Sequence, residues 1–425
     1  MKSQKREIAA LFVMFAAVHA CNALYQTFMP LFLTDMSFTA SQRGVLLSIG
    51  PLVSMLTQTL WGAAADKSRN KVHVMMILTA GLFVATALFL AADSQFTDRV
   101  LPAALRPYRA TIFVTLALML YAFFQNPMLP IIDTISLEYL SRERPPVNYG
   151  MIRTMGTASF VVMAYVVGLL IDKSASGTKT IFYVYFADLA LLFAALLFVP
   201  RVAGGSRKET GKTPVVALFR DKWFTVMIIV AFVVSMTYGF STANFSNYLR
   251  DSLGASERVI GINSALGSVL EIYLFIVSHK IIKKTGIINL ILFCVLAAAV
   301  RWLLTGLFTS IPVLIGVQFF TQPFTWGILI YAIAVYIQKA VPEQLHARGQ
   351  AMMNMIMSSV GRIAGSMLGG VWLGAWGADS EPKIFLFMSA FCAAALVFAV
   401  IAFRRLGWRI DKQPEQIALR EDEVI

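Results

Sequence analysis

Six ionisable side chains stand inside long apolar runs: Asp133, Arg153, Asp188, Glu271, Arg301 and Arg362, with His19 inside the first run. A charge at the centre of a bilayer costs roughly 2.5–3.5 kcal/mol on insertion scales, so such residues persist where they pair, face a cavity or do both. Asp133 lies in the second half of one run and Arg153 in the first part of the next. An acid and a base on neighbouring helices can bind a polar solute or hold one another. For Asp133 and Glu271, short and well inside, the alternative to a functional role is a structural ion pair. For Arg153 it is reach to the interface along a long stem.

Glu271 in SVLEIYLF and Arg301 in VLAAAVRWLLTGL are both mid-run. Desolvation and a nearby arginine act in opposite directions on the proton affinity of such a carboxyl, so a change in water access makes it bind and release protons. Arg362, in SSVGRIAGSMLGG, sits among small residues that permit close helix contact. It either completes the set that pairs the carboxyls or serves packing. Asp188 has no basic partner in its own run and stays unassigned. Amides and aromatics add a polar set: Asn22, Tyr25 and Gln26, then Gln125 and Asn126, Tyr238 and Asn244, and Gln318 and Gln322. These bond either a hydroxylated solute or helix to helix. His19 reads as a packing histidine.

The elements that must position these residues are helices across a membrane. The chain has 425 residues, 58% hydrophobic and 14% charged, whereas a soluble domain carries about 25% charged residues. Apolar runs recur from residue 7 to residue 404, each long enough to cross a hydrocarbon core of ~30 Å. Twelve spans are expected, at about 7–33, 41–65, 72–92, 110–137, 150–171, 180–200, 223–247, 257–278, 287–308, 311–338, 349–373 and 384–404. The first is too long for a signal-peptide core and reads as retained. With both termini on one side, about 24 basic residues face about nine across the membrane, so both termini are expected in the cytoplasm. That topology, rather than nucleic acid, accounts for the net charge of +13. Cys21, Cys294 and Cys392 all fall in apolar runs, with no disulfide framework or metal-ligand spacing, and no cofactor is expected.

The polar segment 201–222 divides the spans six and six. The expected organisation is an amino-terminal half at 1–200, a cytoplasmic linker at 201–222, a carboxy-terminal half at 223–404 and a cytoplasmic tail at 405–425. Gly44 and Gly50 in the second span repeat as Gly261 and Gly267 in the eighth, and Asp66 and Lys67 fall opposite Lys283 and Lys284. Gly150 and Gly349 open the fifth and eleventh spans. Two six-helix halves related along the membrane normal are the architecture of the major facilitator superfamily.

The loop GAAADKSRNK resembles that superfamily's cytoplasmic loop motif: Gly62, Asp66, Lys67 and Lys71 match, whereas Arg69 and Asn70 depart from it. The resemblance implies a gating role for Gly62, Asp66 and Lys67. Pro130-Ile-Ile-Asp133, followed by Tyr149-Gly-Met-Ile-Arg153-Thr-Met-Gly156, is similar to the oligosaccharide–proton symporter branch, lactose permease-like, and to the related nucleoside–proton symporters. It implies solute binding by Asp133 and Arg153, and proton coupling by Glu271 and Arg301, with Asp133 a second coupling candidate. Phe160 stands at the branch's sugar-stacking tryptophan. The branch's tenth-span histidine and glutamate fall at Gln318 and Thr321, its seventh-span aspartate is absent, and Ser358 stands near its eleventh-span lysine.

The expectation is an all-α polytopic transporter of the plasma (inner) membrane, a monomer and not an enzyme. It imports a polar organic solute, oligosaccharide or nucleoside, with a proton by alternating access. The solute-binding set is Asp133, Arg153, Asn22, Gln26, Phe160, Asn244 and Gln318. The alternatives are a proton-antiport exporter of amphipathic compounds, against which the absence of a Gly-Pro motif in GTASFVVMAYVVG counts, and a transporter of small aromatic acids. No paired catalytic groups or phosphate loop suggest an enzyme, and nucleic acid is not an expected partner.

Overall fold

The computed structural model describes residues 2–92, 94, 101–143, 145–203, 218–219, 221–341 and 345–406. Most of the expected linker (204–217 and 220), nearly all of the tail (407–425), Arg144 and much of the loop after the third span lie outside the described residues.

Every regular element among the described residues is helical, as a lipid-embedded backbone requires, because it must satisfy its own hydrogen bonds. The first half holds α1 (Lys2–Asp35), α2 (Ala40–Lys67), α3 (Lys71–Ala91), α4 (Arg109–Gln125), α5 (Met128–Glu143), α6 (Tyr149–Lys173) and α7 (Thr180–Leu196). The second holds α8 (Lys222–Asn247), α9 (Glu257–Thr285), α10 (Ile287–Leu307), α11 (Ile311–Thr325), α12 (Gly327–Ala340), α13 (His346–Met355), α14 (Gly361–Trp376) and α15 (Glu381–Leu406). Among the described residues these fifteen helices correspond to the twelve expected spans, because three are interrupted, the fourth (α4–α5), the tenth (α11–α12) and the eleventh (α13–α14).

Local sequence sets the helix ends. Thr39 caps α2 and Gln42 reciprocates, each satisfying a backbone N–H of the other. Asn148 caps α6 by accepting from Met151 N at 2.9 Å. Pro127, which has no N–H to donate, stands where α4 gives way to α5. Pro323 lies four residues before the start of α12, and Trp326 between the two helices is off helical geometry at φ −133°, ψ −73°. A π turn at Ile356–Val360 joins α13 to α14.

Ten helical segments are long and apolar enough to cross a membrane. The expected eighth and eleventh spans are helical as well. The eighth, α9, carries Glu271 mid-length and lysines near its end, and the eleventh is divided into pieces of 10 and 16 residues. Large apolar side chains such as Leu56, Val84, Val162 and Phe320 are exposed, an outer surface that suits lipid rather than water.

The chain groups into two compact units. The first holds residues 1–207 with 240–269 and 366–379, and the second holds 208–239, 270–365 and 380–425. Within the first, small residues allow helices to cross closely. A Cβ on Gly44 would lie 2.4 Å from Ser366 O, and one on Gly261 would lie 2.3 Å from Ala164 O. Gly44 and Gly261 therefore each seat a helix crossing, α2 on α14 and α9 on α6. Near these crossings Arg250 holds Asp35 at 2.9 Å, Asp251 at 2.8 Å and Glu257 at 3.8 Å. Within the second unit, α10 packs on α15 through Ser389 Oγ donating to Ala299 O at 2.8 Å and Trp302 stacked on Phe385.

Candidate solute and proton sites

The first unit brings the expected acid and base together. Asp133 lies on α5, six residues past Pro127, and Arg153 one turn into α6. Arg153 Nη1 reaches Asp133 Oδ1 at 3.4 Å, a long contact, and Tyr149 O–H donates to the same oxygen at 2.7 Å. Arg153 also donates to the Tyr149 hydroxyl at 3.2 Å. Tyr149 and Arg153 are one helical turn apart and so share a face of α6. The side chains are 49% (Arg153) and 28% (Asp133) exposed, so the guanidinium and a carboxylate edge remain open to a solute. His19 sits below this network with Nδ1 at 3.0 Å from Phe15 O, packed so tightly on Gly156 that a Cβ there would lie 2.6 Å from its ring. The ring thus packs α1 against α6.

The other expected solute contacts divide. Asn22 is partly exposed and Gln26 exposed, both on α1. Phe160 is partly buried and packs on the small-residue cluster of Ala23, Ala164 and Ala265. Asn244 is buried, and its amide donates to Phe240 O of its own helix at 3.0 Å. Gln125 accepts from Tyr185 at 3.0 Å, and Asn126 donates to Gly50 O at 3.2 Å, so these amides tie helix to helix. Asp188 is buried and finds a partner on another helix after all: the thiol of Cys21 donates to it at 2.9 Å.

In the second unit, Arg301 is 2% exposed and bonds to neutral oxygens. Its Nη1 donates to Thr325 Oγ1 at 2.6 Å, and its Nη2 donates to Gln322 Oε1 at 2.6 Å and to Gln318 Oε1. Gln318 is thereby committed to an internal network rather than left free for a solute. The guanidinium also lies 4.5 Å from the Trp302 ring. Glu271 is not on this arginine. Its carboxyl lies against Gly327, where a Cβ would meet it at 2.1 Å, so the first residue of α12 must be small. Beside it, Tyr238 stacks on Trp326 with centroids 4.4 Å apart and planes 13° apart, and Arg362 lies 5.9 Å from both rings.

In the motif loop, Gly62 has open space around it, Asp66 is partly buried and Lys67 is exposed at the end of α2. The polar bonds recorded there belong to the residues that follow. Asn70 Oδ1 accepts from Val72 N and Val202 N, and the buried Lys71 pairs with Glu138 and gives its backbone N–H to Val202 O. Lys71 matched the motif, so the signal was present, but its partner Glu138 is 67 residues away in sequence.

One feature escaped the sequence reading. The interrupted spans α4–α5 and α11–α12 are the fourth of each half. Gly/Pro-interrupted segments at corresponding positions of two repeats mark the binding region of such transporters. The signals were Gln125-Asn126-Pro127 and Gln322-Pro323, each an amide beside a proline. Asp133 follows the first break and Trp326 is the second.

Known proteins agree with this architecture. A maltose permease of Geobacillus stearothermophilus is 27% identical over 368 residues, covering 85% of this chain and 86% of its own. A "Probable 3-phenylpropionic acid transporter" of Escherichia coli is 24% identical over 308 residues, 69% of this chain and 73% of its own. The crystal structure of the nucleoside transporter NupG matches with a TM-score of 0.79 at 16% identity, covering 93% of this chain and 98% of that one, a likeness of fold. The model of the MFS_1 like family matches residues 8–387. The relatives named above are a permease and a transporter by name, not enzymes, and the chain, matched over most of its length, belongs to the MFS_1 like family.

Proposed function

We propose that this protein imports a polar organic solute of the oligosaccharide or nucleoside class together with a proton, by alternating access of two six-helix halves. The observation that carries the reading is the Asp133–Tyr149–Arg153 network, a charged, half-open hydrogen-bonding set inside two spans. Burying such a set against lipid alone would be costly, and opening it to a solute turns the cost into binding. Relatives named for maltose and the structural neighbour named for nucleosides support that solute range. Glu271, poised at the break in the tenth span, is the coupling acid in this reading, with Asp133 the second candidate. The glycine crossings at Gly44 and Gly261 close one end of the helices and part when that end opens. The protein works as a monomer in the plasma (inner) membrane with both termini in the cytoplasm.

The test is external pH in a lightly buffered suspension of de-energised cells expressing the protein, as maltose, other oligosaccharides and nucleosides are added in turn. Alkalinisation with one class, lost in Glu271→Gln, establishes symport. Uptake without any pH change refutes proton coupling. Normal accumulation by both Asp133→Asn and Glu271→Gln removes these two acids from the mechanism.

A further inference from the structure

Among the described residues, the middles of the second unit's spans hold more arginines than acids. Arg301 and Arg362 lie within its spans against the single acid Glu271, and no described carboxylate lies within ion-pair distance of either guanidinium. Arg301 donates to three neutral oxygens. Arg362 is different: its Nε is buried without a hydrogen-bond partner, and its guanidinium lies over the faces of Tyr238 and Trp326. Cation–π contact gives about 0.5–2 kcal/mol depending on desolvation, less than a guanidinium loses on leaving water.

The backbone around Arg362 is specialised in three places. The π turn Ile356–Val360 ends two residues before it, and isolated π turns inside α-helices cluster at functional sites. Gly239 brings α8 so close that a Cβ would lie 2.6 Å from Arg362 Cα, which places the adjacent Tyr238 beside the arginine. Trp326 occupies the non-helical break of the tenth span. Arg362 and Trp326 both remain partly exposed.

We propose that Arg362, with the Tyr238–Trp326 pair, is a subsite for a ring-bearing monocarboxylate. The carboxylate takes the two terminal Nη nitrogens, which are not among the buried unpartnered atoms as Nε is, in the paired geometry that arginine offers and lysine does not. The ring packs against the exposed part of Trp326. One excess positive charge matches one carboxylate rather than a dianionic phosphate. The inference rests on the reading of the protein as a solute transporter and not on its oligosaccharide or nucleoside class: acidic ring compounds, uronate sugars or aromatic carboxylates, bind in preference to their neutral counterparts.

The experiment uses the full chain in proteoliposomes and two near-isosteric pairs, phenylacetate with phenylacetamide and methyl glucuronide with methyl glucoside. Binding is read by Trp fluorescence and by equilibrium binding of the radiolabelled acids. At least one acid binds saturably and about ten-fold or more tighter than its neutral partner. Arg362→Gln removes that preference, Arg362→Lys keeps only part of it, and Trp326→Phe weakens the acid with the preference retained. Thermal melts of each variant identify any that misfold, and the lysine and phenylalanine variants carry the test if the glutamine variant does. Equal binding of acid and neutral partner, no saturable binding of either acid, or an unchanged preference in folded Arg362→Gln overturns the subsite. Counterflow of maltose and a nucleoside is measured in parallel. Carriage of either without acid preference leaves the transport reading standing and removes the subsite. Acid preference that depends on Arg362, with no solute carried, does the reverse.

Discussion

The two interrupted spans that mark the candidate sites manage charge in opposite ways. Beyond the fourth-span break, Asp133 and Arg153 balance one another, half open, with Tyr149 bridging them. Around the tenth-span break, Arg301 is buried among amide and hydroxyl oxygens and Arg362 lies over aromatic rings. A balanced exposed pair contributes little to stability, about 0–1 kcal/mol, and is free to exchange partners with a solute. A buried cation held by neutral dipoles is structural first: its removal takes a donor from Thr325 Oγ1, Gln318 Oε1 and Gln322 Oε1, the last of which keeps its bond from the Gln318 amide. On the proposed reading, the Asp133–Arg153 pair suits reversible contact with a solute and Arg301 suits a fixed charge.

The largest effect expected from breaking this contrast is Arg301→Met. It leaves Gln318, Gln322 and Thr325 without their shared donor, and lost hydrogen bonds to a buried charged group cost about 1.5–3 kcal/mol each before relaxation. Allowing the amides to re-pair with one another, a net loss of about 3 kcal/mol is expected, read as a large drop in the thermal melt in detergent. A melt unchanged from the parent would show that the cation is not what organises α10 against α11.

Next in size are the prolines. Pro323→Ala restores a backbone N–H to α11 and relieves the ring's clash one turn back. We expect about 1 kcal/mol of added stability and a slower exchange rate, because Trp326 is drawn toward helical geometry. Pro127→Ala at the fourth-span break should do the same more weakly, since Pro127 already lies between two helices rather than inside one. Melts and counterflow rates of the two variants side by side measure how far the breaks are equivalent. A faster exchange rate in Pro323→Ala would mean that the break is incidental.

What could be read from the chain, and what could not, follows helix geometry. Each residue advances ~1.5 Å along the helix, so position in a run gives depth, and depth placed Asp133 near Arg153; the spacing shared with Gly50 and Gly267 related Gly44 to Gly261. Rotation about each helix axis is not written in a single run. Hence Arg301 looked like a partner for Glu271 at a similar depth, yet it turns toward Gln318 and Gln322, while Glu271 faces Gly327. Asp188 lacked a base in its own run, and its partner proved to be a thiol 167 positions earlier. Lys71 likewise bonds far along the chain, to Glu138. The break at Trp326 was legible in principle, because Pro323 announces it, but the charged residues nearby drew the reading elsewhere. The division of the chain at 201–222 falls largely on residues outside the described set and stands as part of the proposal.

The smallest expected effect in stability is the most informative in function. Arg153→Gln and Asp133→Asn each remove one member of a pair that is substantially exposed and joined by a 3.4 Å contact. Each alone should shift the melt by less than about 1 kcal/mol, and a double-mutant cycle should return a coupling of about 0.5 kcal/mol or less. Counterflow, in contrast, should fall in both single variants, because a solute that enters the network needs the acid as acceptor and the guanidinium as donor. Restored transport in the double variant would mean that each single loss acted by stranding the other charge. Transport lost in all three, with melts intact, separates the solute-binding role from a structural ion pair. A coupling of several kcal/mol would reverse the contrast drawn above, placing the fixed charge at the fourth span and the exchangeable one at the tenth.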